Sequence, residues 1–293
     1  MNELEPIEPL KRPRVWPSFV TLVLALVAIL VSGAALGVFV IVQPGSQGAS
    51  PSELLSTPSF LLVAAAVSQL CLLAAVWSLP RLFRDVGAHG WFERVRWRPA
   101  RFSVLDVLVC AVGTQAIGAA ALSVLTLLQV KGGLLESMGG AARATSPAQF
   151  AGLLLFGAIA PGFAEELTFR GLLQTRLVER WGSVVGVLVS AVMFGLWHLD
   201  VRQGLMAMTM GVWLGWCAQR HQSIVNVAFA HVVNNAFAFT LSRFGDEQQE
   251  HGEPWPTIAV SLVLVALCAV VIERRSRNSL TPDSPSSARE RAY

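Results

Sequence analysis

The sequence has few charged residues, and this scarcity sets its broad class. Asp, Glu, Lys and Arg make up 14 % of the 293 residues, whereas soluble globular domains carry about 25 %. Hydrophobic residues make up 54 %, and the formal net charge is only +3. This composition excludes an ordinary soluble domain and provides no basic surface for nucleic acid. We therefore expect an integral membrane protein without a nucleic-acid partner.

Cysteine is also scarce, and its spacing excludes two further classes. Each of the four cysteines stands alone in a different apolar stretch, and no CxxC pair occurs. Neither a disulfide framework nor a zinc finger is expected from this pattern. The HExxH motif of zinc proteases is absent as well.

Long apolar stretches are abundant, and their number predicts the fold. A hydrocarbon core of about 30 Å is spanned by roughly 20 apolar residues in a helix. Eight stretches have this character, so we predict an all-α polytopic membrane protein, a bundle of eight transmembrane helices. In the sixth stretch, the spacing of Gly204, Gly211 and Gly215 favours close helix contact. The stretches are 18–42, 59–79, 104–130, 149–178, 183–201, 203–219, 222–243 and 256–272.

The basic residues predict the orientation of these spans. With the N-terminus inside, 17 of the 22 basic residues fall in cytoplasmic segments and 4 in outside connections, with Arg170 inside a span. Because cytoplasmic loops carry an excess of Lys and Arg, both termini are predicted to be cytoplasmic. The 20 Arg against 2 Lys favour a GC-rich bacterial genome, and hence the cell (inner) membrane.

Outside the spans, the sequence predicts no second domain. Residues 1–17 and 276–293 are rich in proline, serine and charge, and we expect both to be disordered. The bundle then fills 18–275, with a polar-motif core at 149–243. The basic segment 80–103, which contains aromatic residues, is expected to lie along anionic lipid headgroups.

Ionisable residues inside the fourth span are the first functional signal. A charge at the bilayer centre costs roughly 2.5–3.5 kcal/mol on insertion scales, so Glu165, Glu166 and Arg170 should face the bundle interior. Glu166 and Arg170 are four residues apart, in the order that favours an ion pair. Glu165 points about 100° away, which leaves it free for proton chemistry. A purely structural ion cluster is the alternative at this point.

Polar residues on two other spans lie at a similar depth. His198 ends the fifth span, and His231 and Asn235 share one face of the seventh. At about 1.5 Å per residue, Glu165, His198 and Asn235 lie roughly 20 Å from the cytoplasmic side, and His231 roughly 14 Å. We therefore expect a single polar site formed by three helices, whereas Asn226 is assigned to packing.

The residue types of this site favour one chemistry. Glutamate and histidine without an intervening serine or cysteine indicate an activated water rather than a covalent intermediate. Asn235 and His231 can donate hydrogen bonds to a developing oxyanion. The residues therefore predict amide hydrolysis inside the membrane.

Three motifs in this order resemble a known family. Glu-Glu-x-x-x-Arg (165–170), Phe-x-x-x-His (194–198) and His-x-x-x-Asn (231–235) resemble the CPBP family, the CAAX prenyl endopeptidases and bacteriocin-processing (Abi) intramembrane proteases. The resemblance covers about 150–240. It implies that Glu165 and His198 activate water and that His231 and Asn235 bind the oxyanion. Supporting roles are implied for Glu166, Arg170 and Phe194.

Alternatives for the cofactor and the function remain open at the level of sequence. We favour a mechanism without a metal, but zinc held by Glu165, His198 and His231 would leave one position for water. A non-catalytic membrane protein of the bacteriocin-immunity or scaffold type is the main alternative function. A proton-coupled transporter is less favoured, because no repeated halves are visible. The expected partner is a membrane-anchored protein or peptide in the lipid bilayer, and the sequence predicts no oligomeric state.

Overall fold

The structure, a computed structural model, describes residues 14–43, 50, 53–54, 56–85, 90–131, 134–245 and 253–279, and all regular secondary structure in them is helical. A short 3₁₀ turn at Pro99–Arg101 accompanies ten helices in these residues. In chain order they are α1 (Trp16–Ile41), α2 (Pro58–Leu82), α3 (Trp91–Arg94), α4 (Val104–Leu127), α5 (Leu134–Arg143), α6 (Pro147–Trp181), α7 (Ser183–Trp197), α8 (Val201–His221), α9 (Val225–Phe244) and α10 (Pro254–Ser279).

Helices occupy all eight apolar stretches, but they differ in their fitness to cross a membrane. Five helices, α1, α2, α4, α6 and α10, are long and apolar enough to span it. Helix α7 is apolar but has 15 residues, about 22 Å at 1.5 Å per residue. Helices α8 and α9 are long enough, with 21 and 20 residues, but contain more polar side chains. The protein is therefore an all-helical, multi-pass membrane protein with at least five such helices among its described residues.

Helix α6 is continuous but changes its winding twice. A π-helical segment at Leu154–Ile159 precedes Pro161, and a second one at Leu167–Gln174 contains Arg170. Proline in a helix interior lacks the N–H donor, and its ring crowds the carbonyl four residues before it. A π turn relieves that crowding by widening the helix. The segment Ala160–Glu166, with both glutamates, thus lies between two widened segments.

Glycines bring α7 and α8 into close contact, as the sequence predicts. A Cβ atom on Gly204 would lie 2.8 Å from the carbonyl oxygen of Gly195, and one on Gly211 would lie 3.1 Å from Ala191 Cα. On the same helix, a Cβ on Gly215 would meet the Gln174 side chain of α6 at 2.5 Å. These small residues therefore place α8 directly against both α7 and α6.

The segment between α2 and α4 is folded into the protein, so the expectation that it lies along headgroups is wrong for its central part. Val95 is fully buried, and Trp91 and Arg94 are 7 % and 5 % exposed. Trp91 Nε1 donates to the carbonyl oxygen of Val76 on α2. Phe92 and Phe102, which are 56 % and 45 % exposed, stay free for contact with lipid.

The two ends predicted to be disordered, 1–17 and 276–293, lie largely outside the described residues. Helix α1 begins at Trp16, and α10 extends to Ser279. Near its beginning, α4 is capped by Ser103, whose hydroxyl accepts from the Asp106 backbone N–H at 3.3 Å. The Asp106 carboxylate pairs with Arg275 of α10, which joins the two helices near one end.

Candidate active site

The central contact of the site is a buried ion pair joined by an imidazole. Arg170 Nη1 donates to Glu166 Oε1 at 2.7 Å, and His231 Nδ1 lies 2.9 Å from the same oxygen. Glu166 is fully buried, and Arg170 and His231 are 2 % and 4 % exposed. His231 of α9 thus contacts the Glu166–Arg170 ion pair of α6 directly. The pairing of Glu166 with Arg170 follows from their four-residue spacing.

Glu165 occupies a different position from its neighbour. Its Oε2 lies 3.8 Å from His231 Nε2, which is too far for a direct hydrogen bond. The side chain is 8 % exposed and extends from the other face of α6. Glu166 therefore lies beside Nδ1 of His231, and Glu165 lies beside Nε2 of the same ring.

Arg170 is held on three sides. Besides Glu166, its Nη2 donates to the carbonyl oxygen of Gly211 on α8 at 3.4 Å. Its guanidinium carbon lies 4.4 Å from the centroid of the Phe194 ring on α7. A buried guanidinium needs such partners, because removing the charge from water is costly. Phe194 thereby has a physical role that the motif alone does not reveal.

His198 contacts the site through Phe194. Its Nδ1 lies 2.8 Å from the Phe194 carbonyl oxygen, and the two rings meet edge to face at 5.0 Å. The Phe194 ring is also edge to face with His231, at 5.9 Å. Since a carbonyl oxygen can only accept, Nδ1 of His198 carries the proton, and in the neutral ring Nε2 carries the lone pair.

Asn235 lies one turn beyond His231 on the same face of α9 and is half-buried. Its Oδ1 accepts from Asn234 Nδ2 at 3.1 Å. That contact occupies the amide oxygen and leaves the Asn235 N–H donors for another acceptor. The structure therefore brings Glu165, Glu166, Arg170, Phe194 and His231 into contact with one another. His198 joins them through Phe194, and Asn235 lies one helical turn beyond His231.

The zinc alternative requires Glu165, His198 and His231 around one point. Within the described part of the chain, no three His, Cys, Asp or Glu side chains form a group that could hold a metal ion. The contacts of His198 are with Phe194, through Nδ1 and an edge-to-face ring contact. The contacts of the site are thus those of a carboxylate–imidazole pair.

Sequence reasoning missed two contributors to this site. The Gly211 carbonyl is invisible in a motif, although the glycine spacing on α8 signals that its backbone is approached closely. Gly162 is the second, because a Cβ there would lie 2.8 Å from the backbone nitrogen of Val232. Its lack of a side chain lets α6 and α9 approach beside His231.

The comparison with known proteins concerns the same part of the chain. No curated protein and no solved structure matches the chain. Residues 147–237 match the family model of the type II CAAX prenyl endopeptidases, Rce1-like. This range contains all three motifs and every residue of the site, so the resemblance drawn from the motifs is confirmed: the motif-bearing core matches the Rce1-like model of the CPBP family.

Proposed function

We propose that the protein is an intramembrane endopeptidase that hydrolyses a peptide bond of a membrane-anchored protein or peptide. The observation that carries the proposal is the buried arrangement of Glu165, His231 and the Glu166–Arg170 pair, in which one histidine lies between two carboxylates of different surroundings. Family membership of the matched region supports peptide hydrolysis as its chemistry.

Glu165 is the general base in this mechanism. It takes a proton from water while the water oxygen bonds to the scissile carbonyl carbon, and it later returns that proton to the amine as the C–N bond breaks. His198 supports the same water, because its Nε2 lone pair accepts a hydrogen bond when Nδ1 donates to Phe194. No covalent enzyme intermediate is required.

His231 and Asn235 stabilise the oxyanion that forms in this step. With Nδ1 donating to Glu166, His231 has a donor at Nε2 only when the ring is protonated. Glu166, itself held by Arg170, orients the His231 ring through Nδ1. Asn235 supplies a second donor through its amide N–H groups.

The remaining features of the proposal concern the membrane. We propose eight spans with both termini in the cytoplasm, in a bacterial inner membrane. The substrate is a maturing peptide or a membrane-anchored tail, because bacteria generally lack CAAX prenylation. No metal takes part in the proposed steps.

The decisive experiment compares two glutamate variants of the same helix. Glu165→Gln keeps the shape of the side chain but removes its basicity, so cleavage of a membrane-proximal peptide by the purified protein should fall by roughly 10²–10⁴. Glu179→Gln is the matched control, because Glu179 is exposed at the end of α6 and pairs with Arg176. It should cleave at the wild-type rate.

Two results would contradict the proposal. Cleavage that survives Glu165→Gln would exclude this residue as the base. A folded wild-type protein that leaves membrane peptides intact, in cells as well as after purification, would favour the immunity or scaffold alternative.

A further inference from the structure

The segment 90–103 contacts both α6, which carries Glu165 and Glu166, and α9, which carries His231. We call this segment the strap. It contains α3 and the 3₁₀ turn, and it runs between α2 and α4. One part contacts α6 near Gly171, and the other contacts the beginning of α9 near Asn226. Gly171 directly follows Arg170 and lies five residues after Glu166, and Asn226 lies five residues before His231, about 7 Å along a helix.

Arg94 attaches the strap to α6. Its Nη2 donates to the carbonyl oxygen of Leu172 at 3.0 Å, and its Nη1 to that of Gly171 at 3.4 Å. Both carbonyls belong to the π-helical segment. Asp85 balances the charge of Arg94 with an ion pair at 2.8 Å. The guanidinium thus binds the backbone of the widened segment directly.

Arg94 stays charged although it is buried. Removal from water lowers the pKa of Arg94 to about 10, while the Asp85 carboxylate acts in the opposite direction. The side chain therefore remains a cation at neutral pH. Val95 completes this contact, because a Cβ on Gly171 would lie 2.9 Å from both the Val95 Cβ and its carbonyl oxygen.

Backbone bonds attach the other part of the strap to α9. Asn226, which is fully buried, accepts from the Ser103 N–H and donates to the Arg101 carbonyl oxygen, both at 3.0 Å. The backbone N–H of Ile224 donates to the Arg96 carbonyl oxygen at 3.1 Å. The assignment of Asn226 to packing is therefore incomplete, since its side-chain amide also forms hydrogen bonds with two backbone groups of the strap.

Aromatic contacts place the strap beside the site on both helices. Trp97 packs on Phe163 at 5.9 Å, and Phe102 packs on Phe229 at 5.3 Å. Phe163 and Phe229 also contact each other, at 5.2 Å. They stand two residues before Glu165 and His231 respectively, so the strap braces α6 and α9 at the level of the site.

We infer that the strap is a positioning element that fixes α6 against α9 and thereby sets the distances from His231 to Glu165 and Glu166, with Arg94 and Asn226 as its two positioning residues. This inference rests on the proposed function for its kinetic consequence, but its geometric consequence is independent of activity. Arg94 and Asn226 contact neither reacting atoms nor the site carboxylates. Their loss should misplace the catalytic groups without removing them, and a misplacement of about 1 Å can cost roughly 10²-fold in rate.

The kinetic test uses the full-length protein and three arginine variants. Arg94→Gln should lower kcat by roughly 10- to 100-fold with KM within about twofold of wild type. Arg94→Lys keeps the charge but loses the planar fork, so it should recover part of kcat. Arg180→Gln, at an exposed arginine near the end of α6, is the matched control and should behave as wild type.

A distance measurement separates this inference from the proposed function. Nitroxide labels at Trp181 and Val233, which are 50 % and 43 % exposed, report the separation of α6 and α9 by double electron–electron resonance. We expect a single narrow distribution in the wild type and in Arg180→Gln, and a broad one in Arg94→Gln and Asn226→Ala. This result would support the strap even if no peptide substrate were cleaved.

Opposite outcomes would overturn the inference. A wild-type distance distribution in folded Arg94→Gln and Asn226→Ala would show that the strap does not hold the helices. An equal change in KM and kcat, with no recovery in Arg94→Lys, would assign Arg94 to substrate binding. If Arg94→Gln does not fold, Asn226→Ala decides the question by the same two measurements.

Discussion

The position of single protons decides what each histidine of the site can do. His198 donates from Nδ1 to a backbone carbonyl, so its Nε2 is an acceptor in the neutral ring. His231 also uses Nδ1, but its partner is a carboxylate held by Arg170. A hydrogen bond to a carboxylate is charge-assisted and holds the ring more firmly than one to a carbonyl. The two rings therefore suit opposite tasks, one accepting from water and the other donating to an oxyanion.

The residue that best separates an oxyanion site from a metal site is Asn235. If its amide donates to the oxyanion, Asn235→Ala should lower kcat by roughly 10²–10³ with little change in KM. Thr240→Val is the control, because Thr240 is exposed on the same helix and its hydroxyl donates to the Ala236 carbonyl oxygen of its own turn. Strong chelators should leave the wild-type rate unchanged.

A metal-dependent enzyme would give the reverse pattern. Chelation would abolish cleavage, stoichiometric zinc would restore it, and Asn235→Ala would have a small effect because the metal would polarise the carbonyl. That result would refute the metal-free mechanism and leave peptide hydrolysis in place.

At the scale of the element, α6 shows what a sequence pattern can predict. The spacing of Glu166 and Arg170 predicts their ion pair, and the polar residues predict that the helix faces the interior. Pro161 predicts a local distortion of α6, but one proline does not predict two π-helical segments. Arg94 binds a carbonyl of the second π segment, and that contact joins residues 78 positions apart. No periodicity within one helix contains such information, so the strap appears only in three dimensions.

Close packing of α6 on α9 gives a prediction for this pair of helices. Gly162→Ala places a Cβ 2.8 Å from the Val232 backbone nitrogen, so the helices must separate. We expect a loss of about 1–3 kcal/mol in the free energy of unfolding, and a fall in kcat because His231 moves away from both glutamates. Thermal unfolding in detergent, followed by the cleavage assay, measures the two effects.

The matched control for this change is Gly118→Ala, where the nearest atom to the new Cβ is Met210 Sδ at 3.8 Å, an ordinary contact. It should be close to wild type in both measurements. Equal stability of the two alanine variants would show that the α6–α9 contact tolerates a methyl group.

For the whole molecule, composition predicts the class correctly but leaves the count of spans as a prediction. Of the three helices that are short or less apolar, α7 ends just before His198, α8 provides the Gly211 carbonyl and α9 carries His231. The site residues His231 and Asn235 are among those that lower the apolar character of α9. Hydropathy is a weak guide to spans where partners inside the bundle, rather than lipid, surround the side chains.

Eight spans with cytoplasmic ends predict where reporters will be found. Position 293 should be cytoplasmic and Gln248 external, because 17 of the 22 basic residues then lie inside. A fluorescent protein that folds only in the cytoplasm should therefore fluoresce when it is fused after residue 293. Alkaline phosphatase, which is active only outside the cytoplasm, should be active when it is inserted at Gln248. The same orientation for the two positions would exclude the eight-span topology.

The Glu166–Arg170 pair also has a consequence for how the chain enters the membrane during synthesis. His231, the other partner of Glu166, lies 65 residues later in the chain, and a ribosome adding about 5–20 residues per second needs roughly 3–13 s to reach it. During this interval α6 has been made but α9 has not. Because Arg170 lies on the same helix as Glu166, the charge of Glu166 is compensated before His231 has been synthesised. The pair that later anchors an imidazole therefore first allows the nascent helix to leave the translocon with that charge already neutralised.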